Sequence, residues 1–154
     1  MRRSLTIIGA LAAGLSSAAA QVTAEQRVLR EVQAVDASGR TIIREVPADL
    51  VAPGDRVVYR LSYRNDGAAP AAGLVLVMPV PNGISLVAGS PEGPGTVAYS
   101  LDGEAFAALD TLSVPGPAGA RPATAADVRH VRWTLDAPLA PGASGEIAYR
   151  GVLN

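Results

Sequence analysis

The stretch VAPGDRVVYRLSYRNDGAAPAAGLVLVMPVPNGISLV, residues 51–87, decides the fold. It contains three turn signals, which are Pro53-Gly54-Asp55, Asn65-Asp66-Gly67 and Pro79-Val80-Pro81-Asn82-Gly83. Proline, glycine, asparagine and aspartate favour turns because they fix or permit the backbone angles that turns need. The segments between these turns are short and rich in β-branched and aromatic residues. The pattern predicts consecutive antiparallel strands.

The segment between the first two turns alternates between apolar and charged residues. Alternation with a period of two places successive side chains on opposite faces of a strand. The predicted core face carries Val57, Tyr59, Leu61 and Tyr63, and the predicted solvent face carries Arg56, Arg60 and Arg64.

Further strands are predicted along the rest of the chain. The apolar run 73–79 is short enough to be a central strand, and segments 96–101 and 104–109 flank Asp102-Gly103, a two-residue hairpin signal. The last two strands are 128–135 and 145–153. In the first of these, alternation points Val131, Trp133 and Leu135 inward and His130, Arg132 and Thr134 outward. Short strands with a turn about every dozen residues predict an all-β, immunoglobulin-like antiparallel β-sandwich of about seven to nine strands.

Two segments allow alternative interpretations. Residues 27–35 fit an opening strand or a short helix, and the Asp36-Ala37-Ser38-Gly39 turn favours a hairpin with Thr41-Ile42-Ile43. The loop 110–127 is long enough to be functional or mobile, and Thr124 and Asp127 have the spacing of a capping box.

The amino terminus has the layout of a signal peptide. Arg2 and Arg3 precede an apolar core over 5–15, and Ala18-Ala19-Ala20 forms a small-residue cleavage site before Gln21. We therefore expect a cleaved signal peptide over 1–20, one sandwich domain over 21–154, and export to the periplasm or the cell exterior. No second apolar run is long enough to span a membrane, so we expect no span after cleavage.

The amino-acid composition disfavours several kinds of partner and site. The chain has no cysteine and one histidine, and cleavage after residue 20 leaves eleven basic and fourteen acidic residues, a formal charge of −3. Nucleic-acid binding needs clustered positive charge, so a nucleic-acid partner is disfavoured. No phosphate loop or metal-ligand spacing is present, and we expect neither a cofactor nor a metal.

Three groups of residues are candidates for a site. Arg56, Arg60 and Arg64 form a basic stripe that could hold sulfate, phosphate or an acidic sugar, although cross-strand carboxylates such as Glu146 would make it an ordinary solvated face. His130 would need a nearby nucleophile and an orienting acid to act as a base, and a surface histidine is the favoured interpretation. Asn65, Asp66, Asp102 and Glu104 could offer oxygens to calcium but are turn residues first.

The ordered series of motifs resembles the bacterial surface-repeat domain called domain of unknown function eleven. The series comprises Val51-Ala52-Pro53-Gly54-Asp55, the strand Tyr59 to Gly67, the corner Pro79 to Ile84 and the closing Leu139-Ala140-Pro141-Gly142-Ala143-Ser144. The resemblance covers residues 26–154 and implies an immunoglobulin-like sandwich with a structural or adhesive role and no known catalytic residues. The family usually occurs as tandem repeats, whereas this sequence holds a single copy and no cell-wall sorting tail.

The expected function is an exported, non-catalytic structural or protein-interaction module of the bacterial envelope or exterior, whose partner is an envelope protein or glycan. One alternative is a binding module for a glycan or anionic ligand through the arginine-bearing face. Another is a hydrolase whose paired carboxylates leave no local sequence signature. An exposed edge strand would also allow self-association.

Overall fold

A computed structural model describes residues 20–154 of the chain, so the predicted signal peptide lies outside the described residues except for Ala20. The described chain contains ten strands and two single 3-10 turns, Leu109–Thr111 and Ala125–Asp127. The strands are β1 (Val22–Val35), β2 (Thr41–Pro47), β3 (Arg56–Asn65), β4 (Val75–Pro79), β5 (Ile84–Leu86), β6 (Thr96–Ser100), β7 (Ser113–Val114), β8 (Arg121–Pro122), β9 (His130–Thr134) and β10 (Ser144–Leu153).

The strands form two main antiparallel sheets around one hydrophobic core. The first sheet has five strands in the order β2-β1-β3-β10-β5, and the second has three in the order β4-β9-β6. Strands β7 and β8 pair separately as a two-residue ladder. The core joins side chains of both sheets, among them Tyr59, Ile147, Met78, Val131 and Trp133. The prediction of an all-β, sandwich-like fold is confirmed.

Alternation correctly predicted which residues of β3 and β9 enter the core. Val57, Tyr59 and Tyr63 on β3 are buried and Leu61 is half-buried against the core, and Val131 and Trp133 on β9 are buried. Aromatic residues bury large apolar areas, and ring pairs add a modest stacking attraction. The rings of Tyr59 and Tyr149 on neighbouring strands stack with centroids 4.9 Å apart. This pair holds the centre of the five-stranded sheet.

The opening segment is a hairpin rather than a helix, as the turn signal favoured. The carboxylate of Asp36 accepts hydrogen bonds from the backbone N–H groups of Ser38 and Arg40, which closes the turn between β1 and β2. β1 is long enough to have different partners along its length. It pairs with β3 over Val22 to Arg30 and with β2 over Leu29 to Val35.

The prediction that residues 73–79 form a central strand is wrong. β4 pairs only with β9 and is an edge of the three-stranded sheet. Leu76 and Met78 enter the core, whereas Val75 and Val77 are 49% and 45% exposed. An unbroken apolar run normally indicates burial on both faces. Here it reflects one buried face and one outward face that is apolar as well.

The predicted hairpin around Asp102-Gly103 is also wrong, because residues 104–109 do not form a strand. The carboxylate of Asp102 accepts hydrogen bonds from the N–H groups of Glu104 and Ala105. A side chain that bonds nearby backbone competes with ladder formation. Only an isolated bridge between Tyr99 and Ala107 continues the pairing.

The loop 110–127 is more ordered than its composition suggested. It contains β7, β8 and the turn Ala125–Asp127, and the predicted capping box between Thr124 and Asp127 is present. Hydrogen bonds from Arg121 hold the pKa of Asp127 well below its usual value.

Candidate functional site

The outer face of the five-stranded sheet carries paired charges. Arg60 is bound between Glu45 of β2, at 2.7 Å, and Glu146 of β10. Hydrogen bonding to Glu146 is the main cause that raises the pKa of Arg60 above its usual value. Arg150 is bound in the same way between Glu31, at 2.8 Å, and Glu92, at 3.3 Å. Each arginine therefore has two carboxylate partners: three of the four lie on strands of the sheet, and Glu92 lies in the segment after β5 that bridges to β10. The solvated-face interpretation anticipated Glu146 as such a partner.

This charged layer covers apolar residues beneath it. Val58 and Ala148 lie on the same outer face and are only 0% and 1% exposed. Long arginine and glutamate side chains can lay their methylene groups over apolar surface while their charged ends stay in water. Much of the arginine content of this face thus has a packing role.

The three arginines of the predicted stripe lie on one face but in different environments. Arg64 bonds to Asp66 at 2.9 Å, Arg60 has its two glutamates, and Arg56 is exposed and makes no ion pair with any residue of 20–154. Residues four apart in a strand are about 13 Å apart. A single sulfate or phosphate cannot reach all three, so only an extended anionic chain could use the stripe as one site.

An open polar depression, which we call the trough, lies at one end of this face. Its volume is about 750 Å³, and it crosses β1, β3 and the start of β10. Its polar side chains are those of Thr23, Glu25, Ser62, Arg64, Ser144 and Glu146. The Ser62 hydroxyl donates to Glu146 and the Thr23 hydroxyl donates to Asp66. The trough has the hydroxyl and guanidinium groups that bind sugars, although internal partners occupy several of them.

The structure brings a serine and an aspartate to His130, a proximity that sequence reasoning missed. Ser100 lies opposite His130 in the β6–β9 ladder, and Asp102 follows two residues later. The Ser100 hydroxyl donates to Asp102 at 2.9 Å and accepts a hydrogen bond from the N–H of Gly103 at 2.8 Å. A nucleophile needs a hydrogen bond to its base, and the base needs one to its orienting acid. Neither bond is present, and Ser100 is fully buried.

The imidazole of His130 has a packing role instead. A Cβ atom on Gly103 would lie 2.8 Å from Cε1 of His130, so the ring packs directly against the turn. The neighbouring Arg132 stacks its guanidinium 4.5 Å from the ring centroid of Phe106. His130 and Arg132, two of the three outward side chains of β9, thus pack against the loop that replaces the predicted hairpin. The register of β6 and β9 alone could have suggested that Ser100 lies beside His130. Only the side-chain geometry shows that the Ser100 hydroxyl bonds to Asp102 and Gly103.

The calcium candidates lie at the end of β3 (Asn65), directly after it (Asp66) and in the bend after β6 (Asp102 and Glu104). Asn65 is fully buried and accepts hydrogen bonds from the N–H groups of Gln21 and Gly67. Its amide donates to the carbonyls of Ala69 and Leu139. Within the described chain, no group of three or more histidine or acidic residues is arranged to hold a metal ion. No helix in this part of the protein is long and apolar enough to cross a membrane.

Exposed apolar residues concentrate beside two sheet edges. Large apolar residues with substantial exposure in the described chain are Val28, Val35, Ile43, Leu50, Val51, Val75 and Val77. The first five belong to the β1–β2 hairpin and the loop after it, and the last two belong to β4. β2 ends the five-stranded sheet and β4 ends the three-stranded sheet. The opposite edges are a three-residue β5 and a β6 that is bridged by Ala107.

The comparisons with known proteins leave the family open. No family model, no curated protein and no solved structure matches the chain. The fold and the placement of its side chains are therefore the basis for any functional assignment.

Proposed function

We propose that this chain is an exported, non-catalytic protein-interaction module with an immunoglobulin-like sandwich, displayed in the periplasm or outside the cell. The resemblance to the surface-repeat family and the predicted signal peptide support export. Exposed backbone at a sheet edge is a known route to strand addition by another polypeptide.

The single observation that carries the proposal is the coincidence of apolar exposure with open strand edges. Isolated apolar residues are common on protein surfaces and need no explanation. Here all seven strongly exposed large apolar residues of the described chain lie at or next to β2 and β4. The broad outer face of the first sheet, by contrast, is covered with paired charges. This distribution favours contact through edges.

A second candidate, binding of an acidic glycan, is favoured by the trough. Arg64 lines the trough and is 57% exposed, and hydroxyl groups from three strands surround it. An extended acidic sugar could reach from the trough along the stripe to Arg60 and Arg56. The internal carboxylates that already bind Arg60 and Arg64 would have to give up those bonds, which weakens this candidate.

Charge reversal separates the two candidates. The double variant Arg56→Glu, Arg64→Glu, which leaves Arg60 between its two glutamates, should abolish binding to an acidic glycan array and leave binding to a purified envelope protein intact. Proline introduced into an open edge strand should have the opposite effect. Turnover of a glycan, ester or peptide by the exported protein, lost on substitution of one acid, would overturn the proposal.

A further inference from the structure

We infer that the edge of β4 binds one extended, uncharged strand of an exported partner polypeptide, an inference that rests on the proposed interaction function. The site is the open backbone of β4 together with the surface of β1 that lies beside it. We call that surface the ledge and define it by the core-facing residues Ala24, Gln26 and Val28. Four observations support the inference.

The first observation is the direction of the backbone groups of β4. Leu74 accepts a hydrogen bond from the N–H of Leu135, and the N–H of Val80 donates to Arg129. Hydrogen-bonded residues alternate along an antiparallel pair, so even-numbered residues face β9. The N–H and C=O groups of Val75 and Val77 therefore point to the open edge. Among residues 20–154 no strand pairs with them there.

The second observation is that the second sheet stops short of β1. Val28 lies opposite Tyr59 and Ala24 lies opposite Tyr63 in the β1–β3 ladder. The two tyrosines are 8% and 3% exposed, whereas Val28 is 38% exposed and Ala24 is exposed as well. Side chains opposite each other in a ladder share a face. The cover provided by the second sheet thus ends between β3 and β1 and leaves the ledge open.

The third observation places the carboxyl end of β4 level with one end of the ledge. Tyr149 lies opposite Tyr59, which lies opposite Val28, so the three residues form one row across the first sheet. The Tyr149 hydroxyl donates a hydrogen bond of 2.6 Å to the carbonyl of Pro79, the last residue of β4.

The amino end of β4 is level with the other end of the ledge. Asn65 lies opposite Val22, and its amide donates to the carbonyl of Leu139 at 2.9 Å. Leu139 in turn forms a bridge with Ala71, just ahead of β4. β4 and the ledge therefore run side by side from the row of Val22 to the row of Val28. A strand added to β4 would lie over the ledge for the whole length of β4.

The fourth observation is that the space admits a single strand and not a second folded copy. Antiparallel pairing of β4 with β4 of another copy would satisfy the N–H and C=O groups of Val75 and Val77. No charged residue of the strand opposes this pairing. The partner's five-stranded sheet would then lie in the layer that β1 already occupies, and the two would collide. A strand without a sheet beneath it avoids this collision. Because the residues of the edge and the ledge are uncharged, a charged side chain that points from the added strand onto the ledge would lose hydration without gaining a partner.

The test uses a soluble probe, a blocked synthetic peptide that copies residues 73–79 and ends in a lysine tail. It can pair its copy of Val75 with Val77 of the protein in antiparallel register. The full exported protein, labelled with ¹⁵N, is titrated with the peptide. We expect amide shifts and slowed hydrogen exchange at Val75 and Val77, and shifts at Val28. Val77→Lys should weaken binding at least tenfold because it places an unpaired charge beside the added strand.

The matched control is Ile43→Lys, which introduces the same charge at an apolar residue of β2 that is 60% exposed. It should bind the peptide as the unmodified protein does. Unchanged affinity of Val77→Lys, or a peptide that shifts no amide of β4, would overturn the inference. If the peptide binds at β2, and its binding is lost only in Ile43→Lys, this inference fails and the proposed interaction function stands. Wild-type protein whose only response to candidate partners is catalytic turnover would instead refute the proposed function.

Discussion

Replacing Trp133 by alanine should reveal how much of the fold depends on the centre of β9. The indole is completely buried and belongs to the core cluster that joins the two sheets. Truncation of a buried tryptophan or phenylalanine to alanine typically costs about 3 to 5 kcal/mol, because transfer free energy is lost and a cavity remains. A domain of this size has a total stability of about 5 to 15 kcal/mol. Trp133→Ala should therefore remove a large part of it.

Two further variants separate burial from other effects. His130 precedes Trp133 by three residues, and its side chain points to the opposite face of the strand. His130→Ala should cost far less, although the ring packs against Gly103. Trp133→Phe should also cost less than the alanine variant, because the indole N–H has no hydrogen-bond partner among the described residues and phenylalanine keeps most of the apolar contact.

Urea unfolding followed by circular dichroism measures all three variants. Trp133 is the only tryptophan, so its fluorescence gives an independent probe in the unmodified protein and in His130→Ala. Coincident transitions by the two probes would justify two-state analysis. Equal losses in Trp133→Ala and His130→Ala, or a larger loss in the histidine variant, would refute the assigned register of β9. A phenylalanine variant as unstable as the alanine variant would refute the purely apolar role of the indole.

Three other perturbations test the structure. Asn65→Ala should destabilise by at least about 2 kcal/mol in urea melts because buried backbone groups lose their partners, and a near-neutral result would contradict the burial of its amide. Gly145→Ala should lower the thermal midpoint, since a Cβ atom there would overlap the Tyr63 hydroxyl oxygen. Tyr63→Phe in the same background should recover part of the loss, and absence of recovery would count against this contact. Burial raises the pKa of all four tyrosines, most strongly that of Tyr149. Because the folded state keeps these protons while the unfolded chain loses them near pH 10, the tyrosine contribution to stability should be constant below about pH 10 and fall above it. Denaturant midpoints across pH 8 to 11 check this expectation, and Tyr149→Phe should flatten the fall.

Periodicity correctly predicted the strands that have one buried face and one solvent-exposed face. The alternation around Tyr59 in β3 and around Trp133 in β9 identified both core faces, because each strand has polar residues on its outer side. The run that became β4 lacks that contrast. Apolar residues on both faces of Val75 to Pro79 suggested a central strand, and nothing local in the sequence indicated that only one neighbour is present. The number of neighbours depends on how distant segments are arranged.

The candidate site was less predictable than the core. Alternation in the sequence predicted that Arg60 lies on the solvent face, and Glu146 was predicted as a carboxylate near the stripe. The second partner, Glu45, could not be predicted in this way. That residue reaches Arg60 only because β1 carries β2 into the same sheet. The association of Ser100 with His130 likewise depends on the register of two strands that are 30 residues apart in the chain. Side-chain hydrogen bonding then decides that the serine binds Asp102 and not the histidine.

The two open edges are not equally suited to binding. β2 carries Arg44 and Glu45 at its centre and ends in Pro47, and charge and proline are common means by which natural sheets discourage edge pairing. Antiparallel self-pairing of β2 about Ile43 would bring Arg44 diagonally close to its own copy, and pairing about Glu45 would oppose two carboxylates. β4 has no charged residue, and its only proline is at its end. The sequence thus discourages pairing at β2 and leaves β4 open, where the ledge then restricts the occupant to a single strand.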